Sequence, residues 1–64
     1  LLVPVRIGLD IMGGDNAPDA TLEGAYLASK MLNSDERIVL VGDKNLAINW
    51  FSQKNIDSSL FDYI

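Results

Sequence analysis

The sequence predicts an α/β fold, the β-α-β-α-β portion of a parallel, doubly wound sheet, and three observations carry that prediction. The apolar spacing changes from a period of 2 to a period of 3.6 at Pro18. The run Ile38-Val39-Leu40-Val41 is continuously aliphatic, as expected of a strand covered on both faces in a parallel sheet. The first two predicted strands each end in glycine and a carboxylate just before a helical pattern, at Asp10 to Asp15 and at Gly42-Asp43.

The first strand is predicted over Val5 to Asp10, with Pro4 at its entrance, where the missing amide donor is tolerated. Val5, Ile7 and Leu9 alternate with Arg6 and Gly8, so one face is buried and the small residue lets something pack closely on the other. A helix follows from Pro18 to about Asn33. Its small or apolar face comprises Leu22, Ala25, Tyr26, Ala28, Ser29 and Leu32, with Asn16 or Ala17 at its cap and Asp19 and Glu23 near its positive end. Gly24 costs about 1 kcal/mol there relative to alanine, which is read as the cost of close packing on a neighbouring strand. Tyr26 and Met31 are read as packing residues. Asn33 to Glu36 forms a polar turn before the second strand, Arg37 to Gly42. Asp43 or Asn45 then caps a second helix to about Lys54, with Leu46, Ile48, Trp50 and Phe51 on or near its apolar face. After a loop over Asn55 to Ser59, Leu60 to Ile64 begins a third strand. Nothing in the pattern sets the strand order.

Composition narrows the function classes. The 64 residues contain no cysteine and no histidine, which removes disulfides, thiolate nucleophiles and an imidazole base. The net charge is −4, and Arg6, Lys30, Arg37, Lys44 and Lys54 are scattered, so there is no electrostatic footprint for nucleic acid. No apolar run approaches the roughly 20 residues of a membrane span. At 48% hydrophobic the chain is too apolar for a disordered tail. A domain this short buries only about 60% of the surface its unfolded chain exposes. The expectation is one partial domain over residues 1–64, the amino-terminal piece of a larger α/β protein.

The chemistry concentrates at Asp10-Ile11-Met12-Gly13-Gly14-Asp15-Asn16-Ala17-Pro18. Paired glycines allow positive φ and remove the β-carbons that keep a ligand off the backbone, and amides in such a turn suit a phosphate or a carbonyl oxygen. The plain alternative is a tight strand-to-helix turn with no ligand. The spacing matches neither G-x-G-x-x-G nor the P-loop. Asp10 and Asp15 repel phosphate themselves. They can orient a basic group, accept a substrate hydrogen bond or help hold a cation, or else serve as a strand-end acceptor (Asp10) and a cap (Asp15). A metal is not expected, for want of a third ligand. Trp50 and Phe51 read as core before they read as a binding platform, Asp43 as a cap, and Ser58-Ser59 lacks the neighbouring base a nucleophile needs.

The stretch Ile7 to Pro18 resembles the amino terminus of the bacterial phosphate acyltransferases of phospholipid synthesis, whose members read D-A-M-G-G-D-x-A-P after a short strand. Glu23-Gly24-Ala25 and Ile38-Val39-Leu40-Val41-Gly42-Asp43 fall where the family has E-G-A and I-V-L-V-G-D. Ile11 departs from the usual alanine, and a larger side chain there either narrows the corner or packs elsewhere. The resemblance implies a cytoplasmic, loosely membrane-associated enzyme with a parallel Rossmann-like three-layer fold similar to phosphate acetyltransferases and isocitrate dehydrogenases. It implies transfer of a fatty acyl group from acyl carrier protein to inorganic phosphate, with a glycerol-3-phosphate acyltransferase downstream, no organic cofactor and a homodimeric full-length enzyme. The candidate substrate-binding residues are Asp10, Met12, Gly13, Gly14, Asp15 and Asn16, and no residue is assigned as the catalyst. The rival reading is a nonenzymatic α/β regulatory module that binds a nucleotide or phosphate at the glycine turn.

Overall fold

The computed structural model describes residues 5–64; the reading of Pro4 lies outside them. The chain runs β1 (Val5–Asp10), α1 (Asp19–Ser29), β2 (Glu36–Val41), α2 (Lys44–Gln53), a short 3-10 turn (Ser58–Leu60) and β3 (Asp62–Tyr63). The strands form one parallel sheet in the order β1-β2-β3. Ile7 pairs with Ile38 and Leu9 with Leu40, while Leu40 pairs with Tyr63 on the other side. With side chains alternating in direction, Ile7, Leu9, Ile38, Leu40 and Tyr63 share one face.

That face carries the core. Leu22 and Ala25 of α1, Ala47 and Phe51 of α2, Ile38 and Leu40, and the flanking Ile11 and Phe61 form one buried cluster. Both helices therefore lie on one side of the sheet. Phe51 and Phe61 stack with ring centroids 4.8 Å apart, so Phe51 is core, and Trp50 meets it edge-on. The opposite face presents Arg6, Gly8, Asp10, Arg37, Val39, Val41 and Asp62, and among the described residues no helix covers it.

Local chemistry sets the ends of the elements. Asp43 caps α2, its Oδ1 accepting the Leu46 N–H at 3.1 Å. Asn55 ends α2 in the left-handed region at φ 57°. The Asn55 N–H then reaches the Ser52 carbonyl and the Ile56 N–H the Phe51 carbonyl, the two bonds of a Schellman motif.

Several expectations change. α1 stops at Ser29 instead of Asn33, because the Met31 and Leu32 amides bond three residues back to Ala28 and Ser29 and tighten the last turn. Met31, past the helix end, is 84% exposed and packs little. Leu60 belongs to the 3-10 turn instead of β3, since the Asp57 carboxylate accepts the Ser59 N–H and folds the chain there. A β-carbon at Gly24 would meet nothing within 4 Å, so no strand packs closely on it among the described residues.

Candidate functional site

The candidate site is the corner where β1 hands over to α1. The Ile11 N–H still bonds the Val41 carbonyl, extending the pairing one residue past β1, and then the chain turns. Three hydrogen bonds build the turn. The Asp10 Oδ1 accepts the Met12 N–H at 3.0 Å, the Asp10 carbonyl accepts the Gly13 N–H at 3.0 Å, and the Thr21 hydroxyl donates to the Gly13 carbonyl at 2.8 Å. The last bond ties the corner to the first turns of α1. Thr21 carries no signal in the sequence, since no spacing rule marks a hydroxyl that bonds eight residues back.

The two glycines differ. A β-carbon on Gly13 would stand 3.2 Å from the Asp10 carbonyl oxygen, so a larger residue there would crowd the turn. Gly14 sits at φ +92°, a region L side chains rarely adopt, and the space beside it is open. Among the described residues no hydrogen bond takes the Gly14 or Asp15 N–H, whereas that of Gly13 is committed to Asp10. The Asn16 and Ala17 amides are likewise without an acceptor among the described residues, so the turn presents a run of free donors that begins at Gly14.

Asp10, Met12, Gly13, Gly14, Asp15 and Asn16 are all exposed and lie along this one turn. Met12 contributes its amide to the turn while its side chain stands 58% exposed. Asn16 accepts the Ala20 N–H with its backbone carbonyl, and the residue at the N-cap of α1 is Pro18, with no side-chain cap. The Asp15 carboxylate makes no hydrogen bond among the described residues and stands free at the corner. Ile11 is fully buried, directed into the core. Its side chain would meet a β-carbon on Gly42 at 3.4 Å, so it packs beneath the second strand end and leaves the corner open.

No cation of the described chain bonds at this corner. Arg37 holds Asp62 in an ion pair at 3.0 Å and the Ser59 carbonyl at the same distance. Lys30, Lys44 and Lys54 lie over the rings of Tyr26, Tyr63 and Trp50. Asp19, near the helix start, is engaged by the Trp50 indole N–H at 2.8 Å, tying α1 to α2. Beside the corner an apolar cleft of about 500 Å³ runs between β1 and α1, lined by Ile7, Leu9, Ala20, Gly24, Ala28 and Leu32 and reaching Asp10 and Gly13 at its mouth.

The open three-stranded parallel sheet with its helices defines the chain as part of an α/β protein. The comparisons are more specific. The chain belongs to the fatty acid synthesis protein family, whose model matches residues 5–62. It is similar to the phosphate acyltransferase of Caldicellulosiruptor bescii, 57% identical over 42 residues that make up 66% of this chain and 12% of that protein. It is 53% identical to the phosphate acyltransferase of Thermotoga neapolitana over 45 residues, 70% of this chain and 13% of the relative. With that of Clostridioides difficile it shares 37% identity over 60 residues, 94% of this chain and 17% of the relative. The chain therefore spans well under a fifth of the curated relatives it matches. No solved structure matches it. No helix among the described residues is long and apolar enough to cross a membrane.

Proposed function

We propose that these residues form the first βαβαβ portion of an acyltransferase that moves a fatty acyl group from acyl carrier protein to inorganic phosphate. The acyl phosphate formed would feed phospholipid synthesis through a glycerol-3-phosphate acyltransferase. The relatives' shared name, phosphate acyltransferase, supports the reaction, and the observation that carries the site is the pair of unsaturated amides at Gly14 and Asp15.

The chemistry needs such a corner. A phosphate oxygen attacks the thioester carbonyl carbon, the carbon–oxygen bond forms, and negative charge develops on the carbonyl oxygen. The carbon–sulfur bond then breaks, the acyl group stays on phosphate, and the proton lost by phosphate ends on the departing thiol of the carrier. Preorganised amides lower the energy of the anionic intermediate, and losing one such donor costs about 10²–10³ in rate. In this reading the Gly14 and Asp15 amides hold an anionic oxygen, and the free Asp15 carboxylate accepts the phosphate proton or fixes a lysine. Asp10 holds the turn. The cationic wall comes from the rest of the full-length enzyme, which in this reading is a cytoplasmic homodimer in peripheral contact with the membrane.

The test is acyl phosphate formation by the full-length protein from acyl carrier protein thioester and phosphate. Gly14→Val, which strains the backbone at φ +92° and fills the open corner, is expected to lower kcat/KM at least 100-fold, and the isolated 64-residue chain is expected to be inactive. Unchanged turnover in Gly14→Val would remove the corner from the mechanism. Thermal stabilisation by nucleotides in place of turnover would establish the regulatory-module reading instead.

A further inference from the structure

Gly13-Gly14 is the only pair of adjacent glycines in these 64 residues, and the peptide unit that joins them is the least constrained of the corner. A planar trans peptide aims its carbonyl and its N–H in opposite directions, so the Gly13 carbonyl and the Gly14 N–H turn together. Rotating ψ of Gly13 and φ of Gly14 in concert inverts the unit, and neither residue carries a β-carbon to oppose it. The two orientations differ in chemistry. One offers a donor to an anion at the corner; the other offers a carbonyl oxygen, which repels it.

A single bond selects between them. The Gly13 carbonyl accepts the Thr21 hydroxyl at 2.8 Å, and among the described residues neither that carbonyl nor the Gly14 N–H has another partner. The preceding amides are held separately, that of Met12 by the Asp10 carboxylate and that of Gly13 by the Asp10 carbonyl. Thr21 is the third residue of α1, and the fully buried Leu22 beside it fixes that part of the helix to the core. A helical threonine ordinarily turns its hydroxyl to the carbonyl three or four residues back. Here it reaches past them to Gly13, so a rigid element holds the freest unit of the turn.

We infer that Thr21 is a positioning residue for the proposed acyl transfer: its hydroxyl keeps the Gly13 carbonyl turned toward α1 and thereby aims the Gly14 N–H outward at the anionic oxygen. This rests on the reading of the Gly14 amide as an anion donor, and Thr21 acts through that amide instead of touching substrate. Without the hydroxyl, the aimed orientation becomes a fraction of the population, and binding at the corner weakens in proportion to that fraction. One ordinary hydrogen bond sets the loss at roughly 3–10-fold. That is smaller than the loss expected of Gly14→Val, because the amide is still presented part of the time.

The test uses the full-length protein with glycine isotope-labelled at its carbonyl carbon and amide nitrogen. Directly bonded labels then arise where glycine follows glycine, and the Gly13-Gly14 signal is assigned by its loss in Gly14→Val. Thr21→Val removes the hydroxyl at nearly constant shape. It is expected to move the Gly13 carbonyl and Gly14 amide resonances and to lower kcat/KM for acyl phosphate formation roughly 3–10-fold. Thr21→Ser, which keeps the hydroxyl, is expected to restore the resonances and to return kcat/KM to within about 2-fold of the parent. Unmoved resonances in Thr21→Val, or equal losses in Thr21→Val and Thr21→Ser, would overturn the inference. So would full turnover in Thr21→Val beside lost turnover in Gly14→Val. Full turnover in both Thr21→Val and Gly14→Val would overturn the proposed reaction at this corner and with it the part of Thr21. The resonances, read without substrate, still report which way the peptide is held, so the two failures are distinguishable.

Discussion

Asp10 fixes the corner with two different acceptors. Its carbonyl oxygen takes the Gly13 amide, and one carboxylate oxygen takes the Met12 amide. Asparagine keeps an oxygen in the same place, and alanine does not. Asp10→Asn in the full-length protein should therefore stay within about 0.5 kcal/mol of the parent, and Asp10→Ala should lose about 1 kcal/mol, the usual net worth of one hydrogen bond. Urea midpoints at constant m distinguish the two. Equal losses in both variants would mean that the charge, not the acceptor geometry, matters. Ile11 gives the complementary prediction. It is fully buried against the core and against Gly42, so Ile11→Ala should cost about 2–5 kcal/mol, read as a lower urea midpoint. Gly14 was legible in the sequence because few residues tolerate positive φ. The direction of Ile11 was not, since an apolar residue beside a conspicuous turn can face the core or the ligand, and only the register of β1 on β2 decides it.

At the level of the elements, α2 shows how far local rules reach. The cap at Asp43 was readable because the side chain, the turn and the helix start are within three residues. The end of α1 was not readable, because the tightened turn at Ala28 to Leu32 competes with a helical pattern that continues in the sequence. Asn55, at φ 57°, tests the other end of α2. Asn55→Ala should destabilise by about 1 kcal/mol, the penalty of an L side chain in the left-handed region, and Asn55→Gly should not; thermal melts would show it. The turn before β3 is also a pH device. Bonds from the Ser59 amide and hydroxyl hold the Asp57 carboxyl below the ordinary range. Burial pushes the Tyr63 phenol above its ordinary value, and its hydroxyl donates to the Ser58 carbonyl. Asp57 thus contributes stability that is present above its unfolded pKa and lost as pH falls through the lowered folded one. Tyr63 contributes stability that is full below its unfolded pKa near 10 and lost as pH rises through the raised folded one. Tyr63→Phe should flatten the alkaline limb of a stability–pH profile and leave the acid limb in place. An alkaline limb unchanged by Tyr63→Phe would show that another group causes it.

For the whole molecule, the decisive quantity is how little core there is. The parallel order β1-β2-β3 was not legible, because crossover handedness fixes on which face a helix lies but not which neighbour a strand chooses. What the order produces is a single helical layer, with one cluster in which Phe51 stacks on Phe61 over Leu40 and Ala47. Domains have roughly 0.05–0.15 kcal/mol of stability per residue, and 64 residues are therefore held by roughly 3–10 kcal/mol. Truncating a buried phenylalanine costs about 3–5 kcal/mol. Phe51→Ala is thus comparable with the total, whereas in a longer chain with more buried surface the same cavity is a fraction of a larger sum. The expected outcome is that Phe51→Ala abolishes a cooperative urea transition of the 64-residue chain followed by far-UV circular dichroism, yet only shifts the midpoint of the full-length protein. Loss of the transition in both would mean that the Phe51 cluster nucleates the entire α/β sheet. Loss in neither would mean that the aromatic stack is not what holds the two helices to it.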